Sequence, residues 1–156
     1  METQILDNVF GEMKFDDGWI TETSIEFLGL TKQIEIWVAG NGLDRSIWQE
    51  QRDAYSYYQA NETAILLEFS QAMFRHYLGI WPDLQEQFGA SAAEFAPKIE
   101  SIDELSKVID VEALVFPIVC GRGERRFGFI GDCSWDADHG FGIEMGYSIG
   151  SSDKLI

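Results

Sequence analysis

Apolar and polar positions alternate with a period of two through the first part of the chain. "TSIEFLG" sets Ile25 and Phe27 against Ser24, Glu26 and Leu28, and "KQIEIWVAG" sets Ile34, Ile36 and Val38 against Gln33, Glu35 and Trp37. That period marks half-buried strands. "MKFDDGWIT" places the turn signal Asp16-Asp17-Gly18 between two short extended runs, and Thr31-Lys32 after Gly29 is expected to lead one strand into the next. The pattern predicts an antiparallel meander of roughly three or four strands.

The period then lengthens. From Asp44 to Tyr77 there is no Pro or Gly; Ile47, Gln51, Ala54, Tyr55 and Tyr58 fall on one helical stripe, and Ile65, Leu66, Phe69, Met73, Phe74 and Tyr77 on another. The spacing predicts two helices, about 45–59 and 62–78, with Asn61 as the N-cap of the second and Gly79 ending it. Residues 80–100 carry Pro82 and Pro97 and read as an extended loop. "SIDEL" is a capping box, Ser101 at N-cap and Glu104 at N3, opening a short helix to about Val108. Strands return over 112–120, 125–135 and 141–150, the last alternating Phe141, Ile143, Met145, Tyr147 and Ile149 with Gly142, Glu144, Gly146, Ser148 and Gly150. This outline predicts one α+β domain over 1–156: an antiparallel sheet made of N-terminal and C-terminal meanders, with two main helices packed on one face. Acidic charge is expected on the exposed helix faces and the free sheet face.

Composition narrows the class. Of 156 residues, 46% are apolar and 13% aromatic, too much for a disordered chain. No apolar run approaches the ~20 residues that span a bilayer. "METQILDNVF" has no basic region followed by an apolar one, so no signal peptide is expected and the location is read as cytoplasmic. Eleven Lys and Arg face 27 Asp and Glu, a net charge of −16. Such a field repels nucleic acid and anionic membrane and speeds encounter with basic partners; it also simply promotes solubility. Cys120 and Cys133 match neither a redox pair nor a zinc spacing, so two reduced, buried thiols are expected, with a bridge between adjacent strands as the alternative.

One stretch concentrates candidate chemistry: "DCSWDADHGFGIEMG", Asp132 to Gly146. As a calcium loop it has Ala137 where glycine is needed and Ile143 where the bidentate Glu belongs. As a transition-metal site it offers Asp136, Asp138 and His139, with His76 distant in sequence, a thin ligand supply. As an acid/base pair, neighbouring residues on a turn point in different directions. "GRGERRFG" lacks phosphate-loop spacing and reads as a turn at Gly121 and Gly123. The economical reading of "WDADHG" is a self-capping turn: Asp136 closes it, Gly140 takes positive φ, His139 pins it, and Trp135 and Phe141 flank it. No catalytic residue, metal or cofactor is expected. The rings of Trp48, Tyr55, Tyr57, Tyr58, Phe74 and Tyr77 are read mostly as core rather than as a stacking surface for nucleotides.

Three stretches also carry a resemblance: "WQEQRDAYSYYQANETAILLEFSQAMFRHYL", "IESIDELSKVI" and "GFIGDCSWDADHGFGIEM", in that order. Together they resemble a bacterial group of small uncharacterised domains marked by a C-terminal Trp-Asp-x-Glu/Asp-His-Gly box, here Trp135, Asp136, Asp138, His139, Gly140 and Gly142. Relatives of that group are taken to be immunity proteins of polymorphic or contact-dependent toxin systems. The resemblance implies a non-enzymatic acidic protein that binds and neutralises a cognate toxin, a basic nuclease-type domain; the net charge of −16 independently argues against a nucleic-acid or membrane partner. Candidate partner-binding residues are Asp44, Glu50 and Asp53 on the first helix, and Trp81, Asp83 and Glu86 on the following loop. Two alternatives stand beside it: a small metal-dependent hydrolase using Asp136, Asp138 and His139, or a general protein-interaction module.

Overall fold

The computed structural model describes residues 3–119, 125–145 and, by backbone alone, 148–150. Among the described residues the strands β1 (Gln4–Asp7), β2 (Gly11–Phe15), β3 (Trp19–Phe27), β4 (Leu30–Val38), β5 (Ile109–Phe116), β6 (Gly128–Cys133), β7 (Phe141–Glu144) and β8 (Ser148–Gly150) lie side by side in chain order in one sheet. Helices α1 (Gln49–Ala60), α2 (Glu62–Phe88) and the single turn α3 (Ala92–Phe95) fall between β4 and β5. The class is α+β with a mostly antiparallel sheet.

β3 and β4 pair along their whole length, from Trp19↔Val38 to Phe27↔Leu30. The two residues between them, Leu28 and Gly29, both have positive φ (54° and 78°), as a two-residue hairpin that follows the sheet twist requires. Thr31 and Lys32 therefore lie inside β4 and not in the turn, contrary to the sequence pattern. Asp17 takes φ 60° in the turn from β2 to β3, as its sequence neighbourhood suggests.

The two meanders meet through a parallel pair, Glu35↔Ala113 to Val38↔Phe116 between β4 and β5. Parallel neighbours need a long crossover, and the helical segment supplies it. The alternating run 141–150 is two strands, not one: Ile143 pairs with Ile149 and Gly142 with Gly150. β6 begins at Gly128, opposite Glu144, and past that pair only the Met145 N–H bond to the Phe127 carbonyl (2.9 Å) continues the contact among the described residues. Cys120, Gly121, Gly123, Gly146 and Tyr147 lie outside the described residues.

Both helices depart from their expected limits. Asp44 and Arg45 belong to a turn closed by the bridge Asn41↔Ser46, so α1 begins only at Gln49. Asn61 Nδ2 donates to the Tyr57 carbonyl (2.9 Å), closing the end of α1, and its side chain does not cap α2. α2 runs through Gly79 and Pro82 to Phe88, where a loop was expected. Gly and Pro cost a helix interior about 1 and 3 kcal/mol, but here tertiary contacts hold the extension. Leu84 is buried, and the Trp81 indole N–H and the Gln85 amide both donate to the Ala96 carbonyl (3.1 and 2.8 Å). "SIDEL" forms a 3₁₀ helix over Ile102–Lys107; Glu104 Oε1 accepts from the Glu100 N–H (3.1 Å), while Ser101 makes no side-chain cap.

The helical stripes read from the sequence are buried, Phe74 only partly. Phe69 of α2 stacks on Phe27 of β3 and Phe129 of β6, ring centres 5.0 and 4.5 Å apart, and Tyr55 of α1 stacks on Phe10 at 4.8 Å. Burying each such ring stabilises the fold by about 2–3 kcal/mol. The β1–β2 hairpin is tied to α1 by Asp7, whose carboxylate accepts from Arg52 (2.9 and 2.7 Å) and from the N–H groups of Val9 and Phe10.

Candidate functional site

The C-terminal box is a connection between β6 and β7. The Asp136 carbonyl accepts from the Gly140 N–H (2.9 Å), and its carboxylate accepts from the His139 N–H (3.2 Å) and lies 3.1 Å from His139 Nδ1. Gly140 has φ 62°, and a Cβ there would overlap the Gly131 carbonyl oxygen; a Cβ on Gly131 would overlap the Asp110 carbonyl in turn. Three backbone segments thus stack at distances only glycine permits. Trp135 packs against Tyr77, ring centres 5.3 Å apart, and Ser134 donates to the Phe95 carbonyl (2.6 Å), docking the turn on α3. The Asp136 and His139 side chains are 40% and 59% exposed, and Asp138 is exposed. Gly142 is buried in β7. The geometry is that of a turn braced from within.

Cys133 is a free, buried thiol, which burial pushes up to about 11. His76 is half-buried on α2, and burial lowers its pKa. A thiol held protonated and an imidazole held neutral are ordinary packed groups.

The open face of the sheet carries a different constellation. Ala113 and Val115 are buried there under half-buried Trp37 and Ile130. The Trp37 indole lies over Gly18, where a Cβ would overlap the ring. Around this apolar strip stand Glu22 opposite Glu35 and Asp110 opposite Asp132, with Glu112 at the bulge between Val111 and Ala113. Like charges directly opposite on a sheet are destabilising. Asp110 is ion-paired with Lys32, and a cleft of about 430 Å³ runs between Glu22, Lys32, Glu35, Asp110 and Glu112. The Glu112 carboxyl, exposed at its tip but partly desolvated by its neighbours, is pushed up first by that desolvation, then by its hydrogen bond to Asp132 and the charges of Asp132 and Glu35.

Oxygens of Asp110, Glu112 and Asp132 come within 4.8 Å of one another, the set among the described residues that could hold a cation. All three are exposed, and the Lys32 ammonium already sits against Asp110. The ligand set the sequence offered, Asp136, Asp138 and His139, was already a thin one and is a different group from this. The sequence places acidic charge on the free sheet face, Glu22, Glu26 and Glu35 occupying the polar phase of their strands, but does not show which acids of β3, β4, β5 and β6 meet, because the two halves of the sheet are separated by the helical segment.

The residues proposed for partner binding occupy separate elements. Asp44 is exposed in the 42–45 turn, where Ser46 holds its carboxyl below the ordinary range, so it is not on α1. Glu50 is half-buried in the first turn of α1, and Asp53 is exposed and accepts from Gln49 (2.9 Å). Trp81, Asp83 and Glu86 are on α2, not on a loop; Trp81 is half-buried and tethered to Ala96, while Asp83 and Glu86 face solvent.

A family model described as Domain of unknown function (DUF6985) matches residues 9–146. The chain belongs to this family. The matched span includes the turn box, both helices and every acid of the open sheet face. No curated protein and no solved structure matches the chain.

Proposed function

We propose that this chain is a non-enzymatic acidic binding protein, an immunity protein that neutralises a cognate basic toxin in the cytoplasm. In this reading the two main helices cover one face of the sheet and leave the other for the partner. The observation that carries it is that open face: Glu22, Glu35, Asp110, Glu112 and Asp132 ring the half-buried Trp37 and Ile130, with Lys32 as counter-charge. A hydrophobic centre within a charged rim is the usual anatomy of a protein interface. An acidic rim, on a chain of net charge −16, favours a basic partner and disfavours nucleic acid. The braced, solvent-facing box supports a structural role for Asp136 and His139 and no chemistry.

The test is the product of the reading frame immediately upstream. A secreted protein with a basic C-terminal domain there should bind this chain with an on-rate that falls steeply with salt, and Glu35→Lys with Glu112→Lys should weaken binding by about tenfold or more. A metabolic operon, or a complex indifferent to those two charge reversals, overturns the reading.

A further inference from the structure

β3 is as long as β4, and its nine residues all pair with β4. On the opposite side it pairs with β2 only at Ile20 and Trp19. Beyond Lys14 the β1–β2 hairpin turns away and packs Phe10 against Tyr55 and Phe116, so among the described residues Thr21–Phe27 keep one strand edge without a ladder partner. A cleft of about 760 Å³ opens beside the start of that edge, lined by Leu6, Met13, Ile20, Thr21 and Glu22 among others.

Exposed edges in native sheets are usually short, or blocked by Pro, inward charges, lysines or bulges. The outer strands β1 and β8 follow that rule at four and three residues. The β3 edge does not: it spans "TETSIEF", without Pro, Lys or Gly. Glu22, Ser24 and Glu26 are exposed, and Thr21 and Thr23 half-buried. Two copies meeting edge to edge would set Glu22 and Glu26 against their own kind, which opposes self-pairing. A strand carrying lysine or arginine would meet the same glutamates as counter-charges.

We infer that the Thr21–Phe27 edge of β3 is a strand-addition site for an extended, cationic segment of another protein. Main-chain hydrogen bonds supply the register-independent part of the affinity, and Glu12, Asp16, Glu22 and Glu26 select positive side chains on the added strand. The inference rests on the binding-protein reading above and adds a second mode of contact at the edge of the flat, Trp37-centred face, with Glu22 shared between the two.

The test uses the whole chain with a short peptide of alternating lysine and threonine, followed by amide hydrogen exchange resolved by residue. Binding should slow exchange at alternate amides within 21–27. Methylating the peptide's backbone nitrogens on one side should abolish it, and a glutamate–threonine peptide should not bind. Glu22→Lys with Glu26→Lys should weaken the lysine peptide by about tenfold while leaving the unfolding midpoint near that of the parent. Equal binding of the methylated peptide, protection confined to β4–β6, or dimerisation through this edge each overturns the inference. Protection confined to β4–β6 with loss on Glu35→Lys leaves the acidic-binder reading standing, so the two fail separately.

Discussion

Asn41 Nδ2 donates to Gln51 Oε1 across 2.8 Å, with the two residues 2% and 0% exposed. The Gln51 amide also donates to the Ala39 and Pro117 carbonyls (2.8 and 3.1 Å), its Oε1 accepts from the Trp48 N–H (2.9 Å), and Asn41 Oδ1 accepts from the Val119 N–H (3.4 Å). One amide pair thereby joins the carboxyl ends of the two parallel strands to the start of α1. Buried polar groups are costly only when left unpaired.

Gln51→Ala should therefore lower stability by about 3 kcal/mol, since it orphans several buried groups at once. Gln51→Glu should be no milder, because a carboxylate cannot donate to the two carbonyls. Urea unfolding midpoints check both; a change below about 1 kcal/mol for Gln51→Ala contradicts the network.

In the C-terminal box the strain-bearing position is Gly140. Gly140→Ala should cost about 3 kcal/mol, because positive φ and overlap with the Gly131 carbonyl add. Asp136→Ala should cost about 1 kcal/mol or less, its partner His139 being largely exposed. Thermal melts of the two variants should keep that order.

Asp7 sets an acid-sensitive term. Burial pushes its carboxyl up, but Arg52 and the N–H groups of Phe10 and Val9 together hold it below its ordinary 3.8. A depressed folded pKa stabilises above the unfolded value and is lost as pH falls through the lower folded value. The parent's advantage over Asp7→Asn should be constant above about pH 5 and shrink below 3.8. An advantage that grows on acidification contradicts this assignment.

Glu112 has the opposite sign. Its raised pKa means the site favours the protonated acid, so its contribution is present below the unfolded value and lost as pH rises through the folded one. Glu112→Gln should raise neutral-pH stability only slightly, since solvent screens an exposed carboxyl, with the gain fading as pH falls below the ordinary 4.5, and should weaken binding of the basic partner. Paired denaturation and binding titrations measure both sides of that trade.

Much of the core was legible in the chain. Phe69, Met73 and Tyr77 declare themselves by helical spacing, and Ile34, Ile36 and Val38 by alternation, because burial on one side of a regular element imposes its own period. The Asp17 and Gly140 turns were legible too, since few residues tolerate left-handed backbone. The ends of elements were not. Gly79 and Pro82 oppose helix locally, and only Ala96, brought back to receive Trp81 and Gln85, reverses that.

The sequence by itself determined the period of each element, the residues facing the core, the acidic charge and the turn chemistry of the box, all of which depend on neighbours a few positions away. Tertiary structure alone decided the parallel joint between β4 and β5, the partial pairing of β3, and the meeting of Glu22, Glu35, Asp110, Glu112 and Asp132 on one face. The parallel joint depends on register between strands separated by two helices, and the acidic meeting on that joint bringing the β3–β4 hairpin beside β5 and β6, which no local pattern encodes.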